Sequence, residues 1–258
     1  MSLPVVDKQA VISAFAKAVP GYPQQAVVQR QIARQLASQA FRVGLPDRCR
    51  ILEIGCGTGF LSELLRQGYP AATLVCSDLV PEMVRHCRQG MRGSAATRFV
   101  VMDGEQPAVA AGFDLVVSSL ALQWFHDAAA ALVRWIELLR PGGVVLFATL
   151  GADTFREWRS ACHQAAVPCG VIPLPSRAQL SSTHVGLVVT EEAQRLRYPS
   201  AQQFLREIKS IGANTPAAQY RPITPSRLRR LLRDFDDSQQ GLEITYHILY
   251  GYYYKPIG

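Results

Sequence analysis

Hydrophobic residues recur along this chain at two periods, and the change from one to the other separates its parts. From Asp7 to Phe41 the spacing is helical. Ala14, Phe15 and Ala18 share one face, and Val28, Ile32 and Leu36 recur every four residues on a second helix. A break at Val19-Pro20-Gly21-Tyr22-Pro23 divides the two, with Pro23 suited to a first helical position. From Arg50 onward, short apolar runs alternate with amphipathic stretches. Strands are expected over residues 50–54, 72–76, 98–102, 113–118 and 144–149. Helices are expected through Phe60, Leu61, Leu64 and Leu65, over 81–89 and over 128–139. Such alternation predicts an α/β fold, a doubly wound and mostly parallel sheet covered on both faces. Beyond Gly151 the rhythm loosens. Helices are expected over 153–167 and 201–211, with a turn-rich connection from Pro168 to Pro175. The stretch from Leu242 to Tyr254 alternates, with Ile244, Tyr246, Ile248 and Tyr250 opposite Thr245, His247 and Leu249. It reads as a strand that closes the sheet in hairpin fashion.

Composition narrows the class. The chain has 258 residues, enough for one large domain or two small ones. It is 48% hydrophobic and 18% charged, which supplies a core and argues against global disorder. No apolar run approaches the ~20 residues of a membrane span. The start, MSLPVVDKQA, has no cationic segment followed by an apolar one, so no signal peptide is expected. The six cysteines, Cys49, Cys56, Cys76, Cys87, Cys162 and Cys169, form no CxxC pair and show no zinc spacing. They read as reduced thiols of a cytoplasmic protein. A net charge of +7 suits an acidic partner, either nucleic acid or an acidic protein.

The first strand runs into Glu53-x-Gly55-x-Gly57-x-Gly59. A glycine-rich turn between strand and helix lets backbone amides approach a ligand. The dinucleotide fingerprint places its third glycine where this chain has Phe60, which disfavours a pyrophosphate binder. Asp78 closes the second strand, where a carboxylate accepts from ribose hydroxyls. Asp103-Gly104 closes the third, where a carboxylate can accept from an adenine amino group. Three strand ends converge on one crevice, which is where such sheets bind ligands.

Over residues 50–150 these motifs resemble the class I S-adenosylmethionine-dependent methyltransferases. The resemblance implies a Rossmann-like fold and S-adenosylmethionine as cofactor. The Glu53–Gly59 loop would hold the methionine part, Asp78 with Leu79 and Met83 the ribose side, Asp103 with Gly104 the adenine, and Ser119 would lie alongside. The fourth strand ends Ser118-Ser119-Leu120-Ala121-Leu122-Gln123-Trp124, without the Asn/Asp-Pro-Pro-aromatic box of amino methyltransferases. Further segments widen the likeness: Asp7-Lys8-Gln9, the stretch from Val28 to Ala33, Ser119 to Trp124, Lys209 to Asn214, and the last strand with Thr245-Tyr246-His247. There the chain is similar to the malonyl-acyl-carrier-protein O-methyltransferases of biotin synthesis.

That resemblance implies a single methyltransferase domain. Residues 1–44 would form a helical lid, 45–150 the cofactor core and 151–258 the acceptor-side insertions and closing strands. It also implies methyl transfer to the free carboxylate of a malonyl thioester, carried by acyl-carrier protein or coenzyme A. Tyr22 would orient the acceptor. A carboxylate substrate invites a cation, with Arg221 and Lys209 as candidates. Trp124 could wall the acceptor pocket, and His247 could face it. Arg227, Arg229, Arg230 and Arg233, with Arg206, could meet an acidic carrier or form a solvated helix face. Other small carboxylic acids, RNA, and cofactor binding without turnover remain as alternatives.

Overall fold

A computed structural model of the chain describes residues 6–91, 96–217, 220–237 and 242–257. Two helices and a single turn open the chain: α1 (Lys8–Ala18), α2 (Tyr22–Gln25) and α3 (Val27–Arg42). Asp7 caps α1, its carboxylate accepting from the amides of Gln9 and Ala10. The doubly wound part follows as β1 (Arg50–Ile54), α4 (Phe60–Gly68), β2 (Thr73–Asp78), α5 (Pro81–Gly90), β3 (Thr97–Val101), β4 (Phe113–Ser119), α6 (Ala128–Glu137) and β5 (Leu139–Leu150). The remainder is α7 (Arg156–Gln164), α8 (Arg177–Ser181), β6 (Val188–Tyr198), α9 (Ala201–Ser210), α10 (Pro225–Asp237) and β7 (Leu242–Tyr254).

Among the described residues the strands form one seven-stranded sheet in the order β3-β2-β1-β4-β5-β7-β6. Neighbours from β3 to β5 pair in parallel, and β7 runs antiparallel to both β5 and β6. Alternation along β1 divides the core. Ile51 packs with Leu36, Leu65 and Leu74 on one face, whereas Leu52 and Ile54 pack with Val116, Trp135 and Val145 on the other. The expected fold class is therefore the one observed. No described helix is long and apolar enough to cross a membrane.

Several boundaries differ for physical reasons. The break before Val28 holds α2, in which Tyr22 comes first and Pro23 second. β5 starts at Leu139 and absorbs the Arg140–Gly143 turn, which bulges between Phe113 and Leu115 of its partner. Gly142 and Gly143 exchange hydrogen bonds with Lys255 there. β6, α8 and the bounds of α10 were not legible in the pattern. β6 is one of the sheet's two edge strands, with β3 at the other edge, and β7 lies inside it, buried along nearly its whole length.

Candidate active site

The parallel strands deliver their carboxyl ends to one edge, and the order reverses there between β1 and β4, the switch point at which such sheets take ligands. A cavity of about 100 Å³ opens at that point. Gly55, Gly57, Asp78, Leu79, Met83, Asp103, Gly104 and Ser119 all line it. The glycine loop is anchored because the amides of Gly55 and Cys56 both donate to the carbonyl of Ser77, at 2.8 and 2.9 Å. Gly55 is left-handed (φ +76), and a Cβ on it would stand 2.4 Å from that of Ala121. Gly57 is also left-handed (φ +53), and the space where a Cβ would stand is open, so no side chain screens that side of the turn.

Asp78 completes the cradle. Its two carboxylate oxygens accept from the amides of Gly57 and Val80, each at 2.9 Å. Burial in the cleft lifts its carboxyl to about 6 against the pull of those amides. At the other end of the cavity Lys8 of α1 reaches Asp103 at 2.6 Å and Glu105 at 2.5 Å. Burial lowers the Lys8 ammonium, but the two carboxylates outweigh it and hold the group above its ordinary value. Glu105 also accepts from the amides of His126 and Asp127.

Two of the expected cofactor residues lie outside this cavity's lining. Glu53 points to the opposite side, where it is buried, accepts from the Ser62 hydroxyl and is pushed well above the carboxylate range by burial. Gly59 (φ +104) starts α4, and a Cβ on it would stand 3.2 Å from the Cys87 sulfur. Both shape the loop from behind.

A second cavity, of about 350 Å³, shares Phe15, Tyr22, Leu120 and Trp124 with the first. Its walls come from α1, α2, α7, α9, β7 and the connection after Pro168. Phe155, Trp158, Phe204, Ile208 and Ile172 make them largely apolar. Among the described residues that line it, Lys209 is the single charged side chain. Tyr22 sits at the junction between Phe15 and Phe60, with ring centroids 6.4 and 6.2 Å away. Burial and the Asp78 carboxylate push its phenol well above the ordinary tyrosine value. Trp124 meets Phe15 edge-on at 5.5 Å. Beside them Gln123 donates from its amide nitrogen to the carbonyl of Leu120 at 2.8 Å, and its oxygen accepts from the Thr149 hydroxyl at 3.0 Å.

Arg221 is exposed and lines neither cavity. His247 is buried away from both: its Nδ1 accepts from the amide of Asp153 and its Nε2 faces Glu191, each at 3.2 Å. Lys8 and Gln123 are the additions that sequence reasoning missed. Lys8 lies 95 positions from its partner Asp103, so no local spacing could pair them.

Comparison with known proteins places this geometry in a family. A family model described as a methyltransferase domain matches residues 52–147. A malonyl-[acyl-carrier protein] O-methyltransferase of Magnetococcus marinus is 40% identical over 93% of this chain and 90% of its own length. The chain belongs to the malonyl-[acyl-carrier protein] O-methyltransferase family. Another member, from Enterobacter lignolyticus, is 36% identical over 96% of this chain and 98% of its own. The biotin biosynthesis bifunctional protein BioCD of Bordetella avium is 37% identical over 99% of this chain, which spans 54% of that longer protein. The YcgJ protein of Bacillus subtilis shares the fold, with a TM-score of 0.60 at 14% identity over 87% of this chain and 100% of its own. The cofactor of this family member is S-adenosylmethionine. The residues present fit it, because an open glycine turn adjoins the Asp78 carboxylate, whose oxygens each hold one amide and can accept a hydroxyl besides.

Proposed function

We propose that the chain moves a methyl group from S-adenosylmethionine to the free carboxylate of a malonyl thioester borne by acyl-carrier protein. When bound, S-adenosylmethionine supplies an electrophilic methyl carbon on a sulfonium. The backbone at Gly55 and Gly57, with Ser119, would hold its methionine part. Asp78 would accept from the ribose hydroxyls and Asp103 from the adenine amino group, with Leu79 and Met83 packed alongside.

The second cavity would receive the acyl group. A malonyl carboxylate, with a pKa of about 4, is already ionised at neutral pH, so no base is needed. Burial and the Asp78 carboxylate raise the Tyr22 phenol above its ordinary value, which suits it to donate a hydrogen bond rather than to act as a base. The observation that carries the reading is the chemistry of the junction. Tyr22, Trp124 and the second N–H of Gln123 are neutral donors, and the walls beyond them are apolar. Methyl transfer here joins an anion to a cation and consumes both charges. A low-dielectric lining favours that change, whereas an arginine on the carboxylate would stabilise the starting anion more than the transition state. Neutral donors therefore replace the cation that a carboxylate substrate first suggests. Lys209 lies towards the outside and Arg221 beyond the site.

An assay of malonyl- and acetyl-carrier protein side by side tests this reading. Malonyl thioester should accept the methyl group, and acetyl thioester should neither react nor compete well, since a site built for a polar group rejects the analogue lacking it. Equal competition by the two would sink the carboxylate assignment.

A further inference from the structure

The acceptor cavity must be entered from outside, and the surface between α1 and α9 offers the way in. A groove of about 660 Å³ runs there and shares Lys209, Asn214, Thr215 and Pro216 with the cavity's lining. Gly212 holds this segment against the lid. Its left-handed backbone (φ +74) approaches α1 so closely that a Cβ would stand 2.9 Å from the Cα of Phe15. Among the described residues the groove is lined by the exposed cations Lys17, Arg206 and Lys209, by no carboxylate, and otherwise by small or uncharged residues.

We propose that this groove is the docking site of the acyl-carrier protein. Lys17 and Arg206 meet acidic side chains of the carrier and the phosphodiester of its thioester arm, and Lys209 stands where the arm turns inward. The proposal deepens the function given above and rests on it. A carrier-borne acyl group hangs on an arm that is charged at its root and largely uncharged along its length. Its site therefore needs cations at the mouth and apolar walls within, which is the order found on going from groove to cavity.

The arginine run of α10 is the rival surface, and it fits less well. Arg227, Arg229, Arg230 and Arg233 share that helix with Asp234, Asp236 and Asp237. Arg230 pairs with Asp234 at 3.6 Å, and Arg227 donates to the carbonyl of Ala166 at 3.2 Å. Buried Leu231 stands between that surface and the cavity.

The test compares kcat/KM for malonyl-carrier protein with that for malonyl-pantetheine, which has neither carrier nor phosphate. In Lys17→Glu/Arg206→Glu the preference for the carrier-borne substrate should fall by at least roughly tenfold, through KM, and its dependence on salt should flatten, because rim charges govern encounter. Arg206→Gln should show a smaller fall in the same direction. Arg229→Glu/Arg233→Glu should move the ratio by no more than about twofold, since exposed charges outside a contact contribute little. Thermal unfolding and cofactor binding establish that each variant is folded. An unmoved ratio in the groove variants, or an equal fall in the α10 variant, overturns the docking site while leaving the function standing. Failure of the parent chain to methylate either thioester removes the function, and the groove's role with it.

Discussion

The two cavities of this protein meet at Tyr22 and Trp124 but are built in opposite ways. The floor of the cofactor cavity is set by the ends of strands. Its glycine turn follows β1, Asp78 ends β2 and Asp103-Gly104 lies just past β3, so pairing in the sheet brings them together, and Lys8, Val11, Phe15 and Tyr22 cover them. The acceptor cavity is made by side chains from segments far apart in the chain, from Phe15 on α1 to Tyr246 on β7. Backbone cradles demand glycine at fixed turns and acids at fixed strand ends, so a local pattern carries them. A cavity walled by Phe, Trp, Ile and Leu can be assembled from any apolar surfaces that come together. On the function proposed above its chemistry lies in a few neutral donors at the junction, with Lys209 the single charged side chain among the described residues that line it.

Asp78→Ala should break the contrast most sharply. Two hydroxyl bonds to a carboxylate, at about 1.5–3 kcal/mol each, make a loss of cofactor affinity on the order of a thousandfold, read by calorimetry on a folded variant. Tyr22→Phe keeps the ring between Phe15 and Phe60 and removes only the donor. Single turnover should slow on the order of a hundredfold, with no rate change tracking a phenol titration, while cofactor affinity barely moves. Equal single-turnover rates would confine Tyr22 to packing.

Acidity should separate the cavities next. With the Asp78 carboxyl at about 6 in the cofactor-free protein, hydroxyl donors need it ionised. Cofactor affinity should be flat above neutrality and fall by about tenfold per pH unit below that value. Stability of the cofactor-free chain should respond the other way. A carboxyl raised on folding contributes stability at low pH that is lost as pH rises through about 6, so a melting series without cofactor should show this contribution shrinking there. The smallest effect is expected at α1. Lys8→Met removes the links to Asp103 and Glu105, about 1 kcal/mol for a partly exposed pair. Amide exchange over Lys8–Ala18 should quicken roughly fivefold with little change in melting temperature.

Sequence pattern reached unequal depths in the two halves. The strands from β1 to β5 lie near their expected places, with β5 starting five residues early at Leu139, because the inner ones, β1, β4 and β5, are buried on both faces over short apolar runs. β6 escaped notice. It is an edge strand like β3, but it carries Glu191, Glu192, Arg195 and Arg197 along a largely solvated stretch, so it reads as polar chain. The glycine loop and Asp78 were legible from spacing, whereas Tyr22 entered only through resemblance to a family. The Lys8–Asp103 pair and the Thr149 bond that orients the Gln123 amide are tertiary contacts, so no spacing could announce them. Arg221 shows the converse error: a charge that suits the substrate in principle stands exposed outside both cavities.

The chemical nature of the transferred methyl tests the account most directly. Malonyl-carrier protein would be incubated with methyl-labelled S-adenosylmethionine and this chain, and the isolated carrier then treated with mild alkali. A carboxylate acceptor predicts label on the acyl group as a methyl ester, released as methanol. Label that stays bound through alkali, or that appears on the carrier polypeptide or on added RNA while the malonyl group stays unmodified, would contradict it.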